Sequence, residues 1–299
     1  MTAVRLARAQ TKRSKILIFD GGYHGHSDSL LAGNTTGIPD DVARHTLNVP
    51  YNDPGAFEQA IERFGEQLAC VVIEPVAANM GVVIPDPGYL AKIRQLTSQR
   101  GILLIFDEVV TGFRLARTGA QGAFGITPDL TTFGKIIGGG LPIGALGGPA
   151  RLMQRLTPEG DVYHGGTFAG HPLSMAAGVA MLRQLAAHPP YARLDATSRQ
   201  LAEGLAEGAR EAGIPMQINR VGSMLTVFFS DHPVRNAAQV RASDRRRFAH
   251  WANGLRRHGV LLPPSPFEAL FVSTRHTARH VDHVVTTSRN VLKRMAASS

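Results

Sequence analysis

Short apolar runs alternating with stretches of helical periodicity constrain the fold of this chain more than any other feature of its sequence. Residues 16–19, 70–73 and 102–106 are β-branched or apolar and bounded by turn residues, the pattern of strands buried on both faces. Between them, residues 56–68 and 89–99 read as helices. In the second, Tyr89, Ile93 and Leu96 share a face, Asp86-Pro87 opens the helix and Gly101 closes it. Strands that alternate with helices build an α/β fold, a mainly parallel sheet with helices on both faces. Ligands in such sheets bind at the carboxyl ends of strands, which directs attention to residues 21–26, 74–79 and 107–114.

The second half reads differently. An apolar helix over 172–187 and a helix over 196–212 precede strands near 216–219 and 224–229, a basic helix, a strand over 270–273 and a last amphipathic helix from 277 to about 295. This smaller part has α+β character. The expected boundary is at His188-Pro189-Pro190, giving a large domain over 1–188 and a small one over 189–299.

Composition excludes several classes. At 299 residues with 43% hydrophobic and 18% charged residues, the chain has a globular make-up and no apolar run of membrane-spanning length. Cys70 is the only cysteine, which excludes an intramolecular disulfide and fits a reducing, cytoplasmic setting. The net charge of +9 raises nucleic acid as a partner. Its densest cluster, Arg245–Arg247 with Arg256 and Arg257, however, lies opposite a buried stripe of Phe248, Trp251, Ala252 and Leu255, as on a solvated helix surface. The expectation is no nucleic acid and no membrane. His24 and His26 lack a third ligand nearby, and His280 with His283 reads as helix surface, so no metal is expected.

Two stretches carry chemistry: LLIFDEVVTGFR at 103–114 and TFGKIIGGGLP at 132–142. The first puts Asp107 at the end of a buried strand, where an unpaired carboxylate is costly. The second puts Lys135 among apolar residues, before Gly138–Gly140. A lysine so placed can act as an amine nucleophile toward an aldehyde. A pyridoxal-phosphate site needs this pair, with the lysine forming a Schiff base and the aspartate facing the ring nitrogen. A structural Lys–Asp pair accounts for the same two residues equally well.

Longer motifs tip that balance. ARA near Ala7, YHGHSD at 23–28, PYND at 50–53 and IEPVAANMG at 73–81 are followed by FDEVVTGFR and PDLTTFGKIIGGGLPIGALGG. GGTFAGHPLSMAAG at 165–178 and PPSPFEALFVSTRHT at 263–277 complete the series. In this order the chain resembles the class III pyridoxal-phosphate-dependent aminotransferases, and within them most nearly the glutamate-1-semialdehyde 2,1-aminomutases. The resemblance implies a fold-type-I transferase, pyridoxal 5'-phosphate as cofactor, small-molecule amino donors and acceptors, and a homodimer. It implies that Lys135 holds the cofactor, Asp107 faces its ring nitrogen, Tyr23 stacks on it with His24 beside it, and Asn79 lies near the cofactor hydroxyl or the substrate. Thr167 is expected at the cofactor phosphate of the neighbouring subunit, with Glu268 and Tyr163 lining the pocket. Arg114 and Arg117 are candidates for a substrate carboxylate, a structural salt bridge being the equal alternative for each.

Two departures from the family pattern shape the expected activity. The family's Ser-Gly-Thr-Glu-Ala phosphate loop and amino-terminal arm have no counterpart in the sequence, which predicts weak cofactor binding and little activity for this chain, with a non-catalytic partner subunit as the rival reading. Between YHGHSD and PYND the aminomutases carry a longer Gly/Ser-rich gating loop; here residues 29–49 span the gap. A shorter loop favours release of the intermediate, and so transfer between two substrates over intramolecular transfer.

Overall fold

The apolar runs become the central strands of a six-stranded sheet, in a computed structural model that describes residues 1–33 and 35–297. The chain divides into two compact units, one of Met1–Pro75 with Pro85–Pro189, the other of Val76–Ile84 with Pro190–Ser299. In the first unit the elements run α1 (Thr2–Thr11), β1 (Lys15–Phe19), α2 (Asp28–Leu31), α3 (Asp40–Ala43), β2 (Thr46–Val49), α4 (Pro54–Phe64) and β3 (Leu68–Ile73). They continue with α5 (Tyr89–Gln99), β4 (Leu103–Asp107), α6 (Gly119–Phe124), β5 (Leu130–Gly134), β6 (Gly144–Gly147), α7 (Ala150–Met153) and α8 (Pro172–Ala187).

The strand order is β2-β1-β3-β4-β5-β6. All neighbours are parallel except β5 and β6, which pair antiparallel. Alternate residues of each strand face opposite sides. Ile16 and Ile18 of β1, Cys70 and Val72 of β3 and Leu103 and Ile105 of β4 pack with Val4, Leu6 and Ala7 of α1. Phe19 packs against other rings: Tyr51 at 5.9 Å between centroids, Phe57 at 6.0 Å and Tyr89 at 6.2 Å. These rings come from β1, from the turn after β2, from α4 and from α5. Each buried side chain of this kind contributes about 1.5–3 kcal/mol. Helix α4 begins where the sequence provides a cap: Asp53 accepts a hydrogen bond from Ala56 N at 2.9 Å, and Pro54 is the first helical residue.

The second unit contains α9 (Tyr191–Glu211), β7 (Gln217–Val221), β8 (Met224–Phe228), α10 (Ala237–Ala242), α11 (Arg245–Arg256), β9 (Leu270–Phe271) and α12 (Ala278–Ala297). Its sheet is antiparallel, in the order β7-β8-β9. Leu205 of α9, Leu225 and Val227 of β8, Trp251 and Leu255 of α11 and Leu292 of α12 share one core. The indole of Trp251 donates to Ser288 Oγ at 2.9 Å, so its polar edge is satisfied inside that core. Phe248, Trp251 and Leu255 are buried as the sequence pattern requires. The segment Val76–Ile84 lies early in the chain yet belongs here. It closes on itself through the Ala77–Val83 bridge, donates Val82 N to Thr226 Oγ1 at 2.9 Å, and accepts Asn219 Nδ2 at Val82 O at 2.8 Å. Among the described residues, no helix is long and apolar enough to cross a membrane.

Candidate active site

Four strands of the first unit deliver polar groups to the carboxyl edge of the sheet. Past β1 come Tyr23 and His24, past β3 Glu74, at the end of β4 Asp107, and directly after β5 Lys135. Because β1, β3, β4 and β5 are consecutive neighbours, these residues lie along one continuous edge. In register, Asp107 sits opposite Thr132, and the next backbone N–H, that of Glu108, donates to Thr132 O at 2.9 Å. Lys135 follows three residues further along β5.

Asp107 is 8% exposed and does not sit unpaired. Its Oδ1 accepts Val109 N at 3.1 Å, and its Oδ2 lies 2.8 Å from His24 Nδ1. The His24 side chain is itself only 3% exposed. Burial, the largest influence, pulls the His24 pKa down. The hydrogen bond to Asp107 and the charges of Asp107 and Glu74 outweigh it and hold the pKa above the usual 6.5. The surroundings of His24 therefore favour its protonated form. Gly22 makes room for it: a Cβ there would lie 3.2 Å from His24 Nε2 and 3.7 Å from Glu74 Oε1. Glu74, 4% exposed, accepts Tyr23 N at Oε1 at 3.0 Å and so fixes the start of the Tyr23–His24 segment. The Tyr23 ring is 49% exposed.

Lys135 is exposed and has φ 48°, a conformation that side-chain-bearing residues rarely adopt. It opens a 3₁₀ turn, Lys135–Gly138, whose position is set from behind by α8. A Cβ on Gly178 of α8 would meet Ile137 O at 2.5 Å, and one on Gly139 would meet Ala177 O at 2.6 Å. Glycine at both places lets helix backbone and lysine turn touch. Strain at the lysine is thereby held in place by packing, as at many functional sites.

Of the other candidates, Arg114 is partly buried, which lowers its pKa, and its Nε donates to Val110 O at 3.2 Å. Arg117, Tyr163 and Thr167 are exposed on the first unit. Asn79 and Glu268 belong to the second unit, both exposed, where Gly81 N donates to Phe267 O at 2.6 Å and so ties their two segments together. Sequence reasoning missed Glu108, which is wholly buried beside Asp107. The available signal was the pair of adjacent carboxylates at the end of a buried strand, since successive residues there point to opposite faces. Among the described residues, no group of three or more His, Cys, Asp or Glu is arranged to hold a metal ion.

This donor set fits pyridoxal phosphate. It offers an exposed primary amine for the aldehyde, a carboxylate hydrogen-bonded to a buried histidine for a protonated ring nitrogen, and an open aromatic residue on the same sheet edge. Comparison with known proteins agrees: the Aminotransferase class-III family model matches residues 1–283, and the chain belongs to that family of pyridoxal-phosphate enzymes. The glutamate-1-semialdehyde 2,1-aminomutase of Desulfosudis oleivorans is 48% identical over 302 residues, covering 97% of this chain and 71% of that protein. An omega-transaminase structure from Sphaerobacter thermophilus superposes with a TM-score of 0.89 at 33% identity, covering 97% of this chain and 70% of the other. The glutamate-1-semialdehyde-aminomutase of Pseudomonas aeruginosa PAO1, in complex with PMP, gives 0.85 at 28% identity, covering 97% and 68%.

Proposed function

We propose that this chain transfers an amino group between an amino acid or amine and a keto or aldehyde acceptor, with Lys135 and Asp107 as its catalytic residues. The observation that carries the reading is the sheet edge itself: a histidine-paired carboxylate ends β4, and the lysine follows the strand beside it. Pyridoxal phosphate, when bound, supplies an electron sink for the pair left at a substrate carbon that loses its proton. Asp107 would face the ring nitrogen, its carboxyl group oriented by the 2.8 Å contact with His24. Lys135 Nζ holds the cofactor at rest and, once displaced by substrate, takes the proton from one carbon and returns it to another. Tyr23 covers the ring face, Tyr163 contacts substrate or cofactor, and Arg114 serves the substrate carboxylate.

The intermolecular form of the reaction is supported by the segment that follows Tyr23–Asp28. Thr46 Oγ1 donates to Ser29 O at 2.7 Å, α2 and α3 occupy part of the span, and Leu30 is buried, so the segment closes on itself. Such a closed segment retains an intermediate less well than a long mobile lid. The second reading, intramolecular transfer by a glutamate-1-semialdehyde 2,1-aminomutase, is favoured by the 48% identity over 97% of the chain. Incubation with glutamate-1-semialdehyde alone, beside incubation with amino donor and keto acid pairs, separates them. Whatever turnover this chain supports is expected with donor and acceptor pairs and not with the semialdehyde alone; isomerisation without a second substrate reverses the order. In either form Lys135→Ala abolishes the visible absorption of lysine-held cofactor, and an unchanged spectrum would overturn the site.

The assembly we infer is a homodimer. Helix α8 is apolar, yet only Ser174 and Gly178 of it are buried, and Phe168, Leu173 and Val179 are 77%, 67% and 47% exposed. An apolar face of this kind is a protein contact surface, and a second copy of the chain would cover it. Thr167 lies beside it in sequence. Light scattering gives the mass; Leu173→Glu is expected to shift it to the monomer.

A further inference from the structure

The carboxylate next to Asp107 takes no part in the chemistry above, yet it is the more deeply buried of the two. Glu108 is 0% exposed, and the four hydrogen bonds its side chain accepts come from neutral donors. Oε2 takes Thr111 Oγ1 at 3.0 Å and Ala120 N at 2.5 Å; Oε1 takes Gln121 N at 3.3 Å and Gln121 Nε2 at 3.0 Å. A buried carboxylate is tolerated without a cation when several donors meet it, and each such bond is stronger than a neutral one.

The arrangement is built for closeness. Gly119 has φ 65°, and a Cβ on it would collide with both carboxylate oxygens, so only glycine lets the first turn of α6 close over Glu108. The network does not stop at α6. The Gln121 amide also donates to Thr131 Oγ1 at 3.1 Å, on β5, four residues before Lys135. The Glu108 backbone N–H reaches the same strand at Thr132 O. One residue, adjacent to Asp107, is therefore bonded both to α6 and, directly and through Gln121, to the strand that leads into the lysine.

We propose that Glu108 is a positioning residue whose carboxylate, gripped by Thr111, Ala120 and Gln121, sets the separation between the Asp107 and Lys135 side chains. The proposal rests on the roles given to those two residues above. Its physical logic is that a carboxylate accepts at both oxygens, whereas an amide of the same shape accepts at one and donates at the other. With an amide, an NH₂ group would face either the two donors of Gln121 or Ala120 N, according to its orientation, and the α6 side of the grip would open. Catalytic groups misplaced by a fraction of an ångström lose efficiency even when the fold survives.

The test compares the full-length chain with Glu108→Gln, with the reciprocal exchange Glu108→Gln/Gln121→Glu, and with Gln121→Met. In the exchange the new amide at 108 has an acceptor at 121, and Thr131 can turn its hydroxyl to donate. Glu108→Gln is expected to lower the thermal midpoint of the cofactor-free chain by about 3–8 °C. It should also move the pH at which the absorption of lysine-held pyridoxal phosphate changes by about half a unit, and weaken cofactor uptake about tenfold. The exchange should recover most of all three. Gln121→Met keeps the buried carboxyl group and its backbone donors, and is expected to give the same spectral shift at smaller size in a chain with little loss of stability. A lowered midpoint with the spectral pH and uptake unchanged would reduce Glu108 to a structural residue and overturn the proposal. So would an exchange that recovers nothing. Wild-type protein that takes up no cofactor would instead overturn the reading of Lys135 and Asp107 themselves, a result distinct from wild-type uptake with unaffected variants.

Discussion

Replacing His24 by phenylalanine removes the partner of Asp107 while nearly preserving side-chain volume. The two side chains are 3% and 9% exposed, so the pair is largely out of water. Breaking a buried pair by removing one member costs about 3–5 kcal/mol. Val109 N still donates to Asp107 at 3.1 Å, which places the expected loss near the lower end, about 3 kcal/mol. That loss depends on pH in a defined direction. Burial lowers the His24 pKa and the amino-terminal charge adds to this, but Asp107 and Glu74 prevail and raise it above 6.5. A group with a raised folded-state pKa contributes its full stabilisation below the unfolded value and loses it as pH climbs through the folded value. Neutral imidazole can still donate Nδ1–H to Asp107, which is worth about 1 kcal/mol. The stability difference between wild type and His24→Phe should thus shrink as pH rises above the ordinary value of 6.5. Urea unfolding followed by circular dichroism measures it. A difference that stays constant or widens as pH rises would refute the upward shift of the His24 pKa.

Two further outcomes follow from packing. Gly178→Ala ought to favour α8 by about 0.5–1 kcal/mol as an intrinsic helix preference. The new methyl would meet Ile137 O, a backbone atom, at 2.5 Å, and overpacking costs about 1–3 kcal/mol, so the variant is expected to melt lower; a raised melting temperature would show that α8 and the lysine turn are less closely packed. Cys70 is fully buried, and burial pushes its thiol up to about 12, so a disulfide reagent near pH 8 should leave the folded chain untouched and titrate one thiol after unfolding. Rapid labelling of folded protein would contradict the assigned position of β3.

In the six-stranded sheet, the strands that sequence makes legible are those whose side chains are apolar on both faces. β1, β3 and β4 are such strands, and α8 stands out by its apolar run. β2 and β5 contain Thr46, Asn48, Thr131 and Thr132, and β6 reads Gly-Ala-Leu-Gly, so local pattern gives little sign that the sheet extends to them. Their strand character comes from pairing, which is a tertiary property. The membership of Val76–Ile84 in the second unit is equally invisible, because it depends on Thr226 and Asn219, more than a hundred residues away. At the proposed site, motif context singles out Lys135 and Asp107 as candidates. The His24–Asp107 bond was not legible, since sequence places His24 beside a cofactor without saying what its nitrogens hold. Glu108 escaped notice because a carboxylate beside a functional one looks like a solvated neighbour until its donors are seen.

The bond between Thr46 Oγ1 and Ser29 O staples the two ends of a surface excursion next to the sheet edge. With its ends fixed, the length of that excursion is nearly free to vary: extending such a loop by half adds only about 0.4 kcal/mol of closure entropy. The sheet, the Asp107–His24 pair and the lysine turn would register almost nothing. Insertions and deletions here are therefore expected to be close to neutral for folding, and on the function proposed above they would change how long a reaction intermediate stays enclosed. A lineage can drift between retaining and releasing that intermediate without crossing a valley of unstable proteins, and an engineer can follow the same route by grafting a longer segment between the two stapled residues.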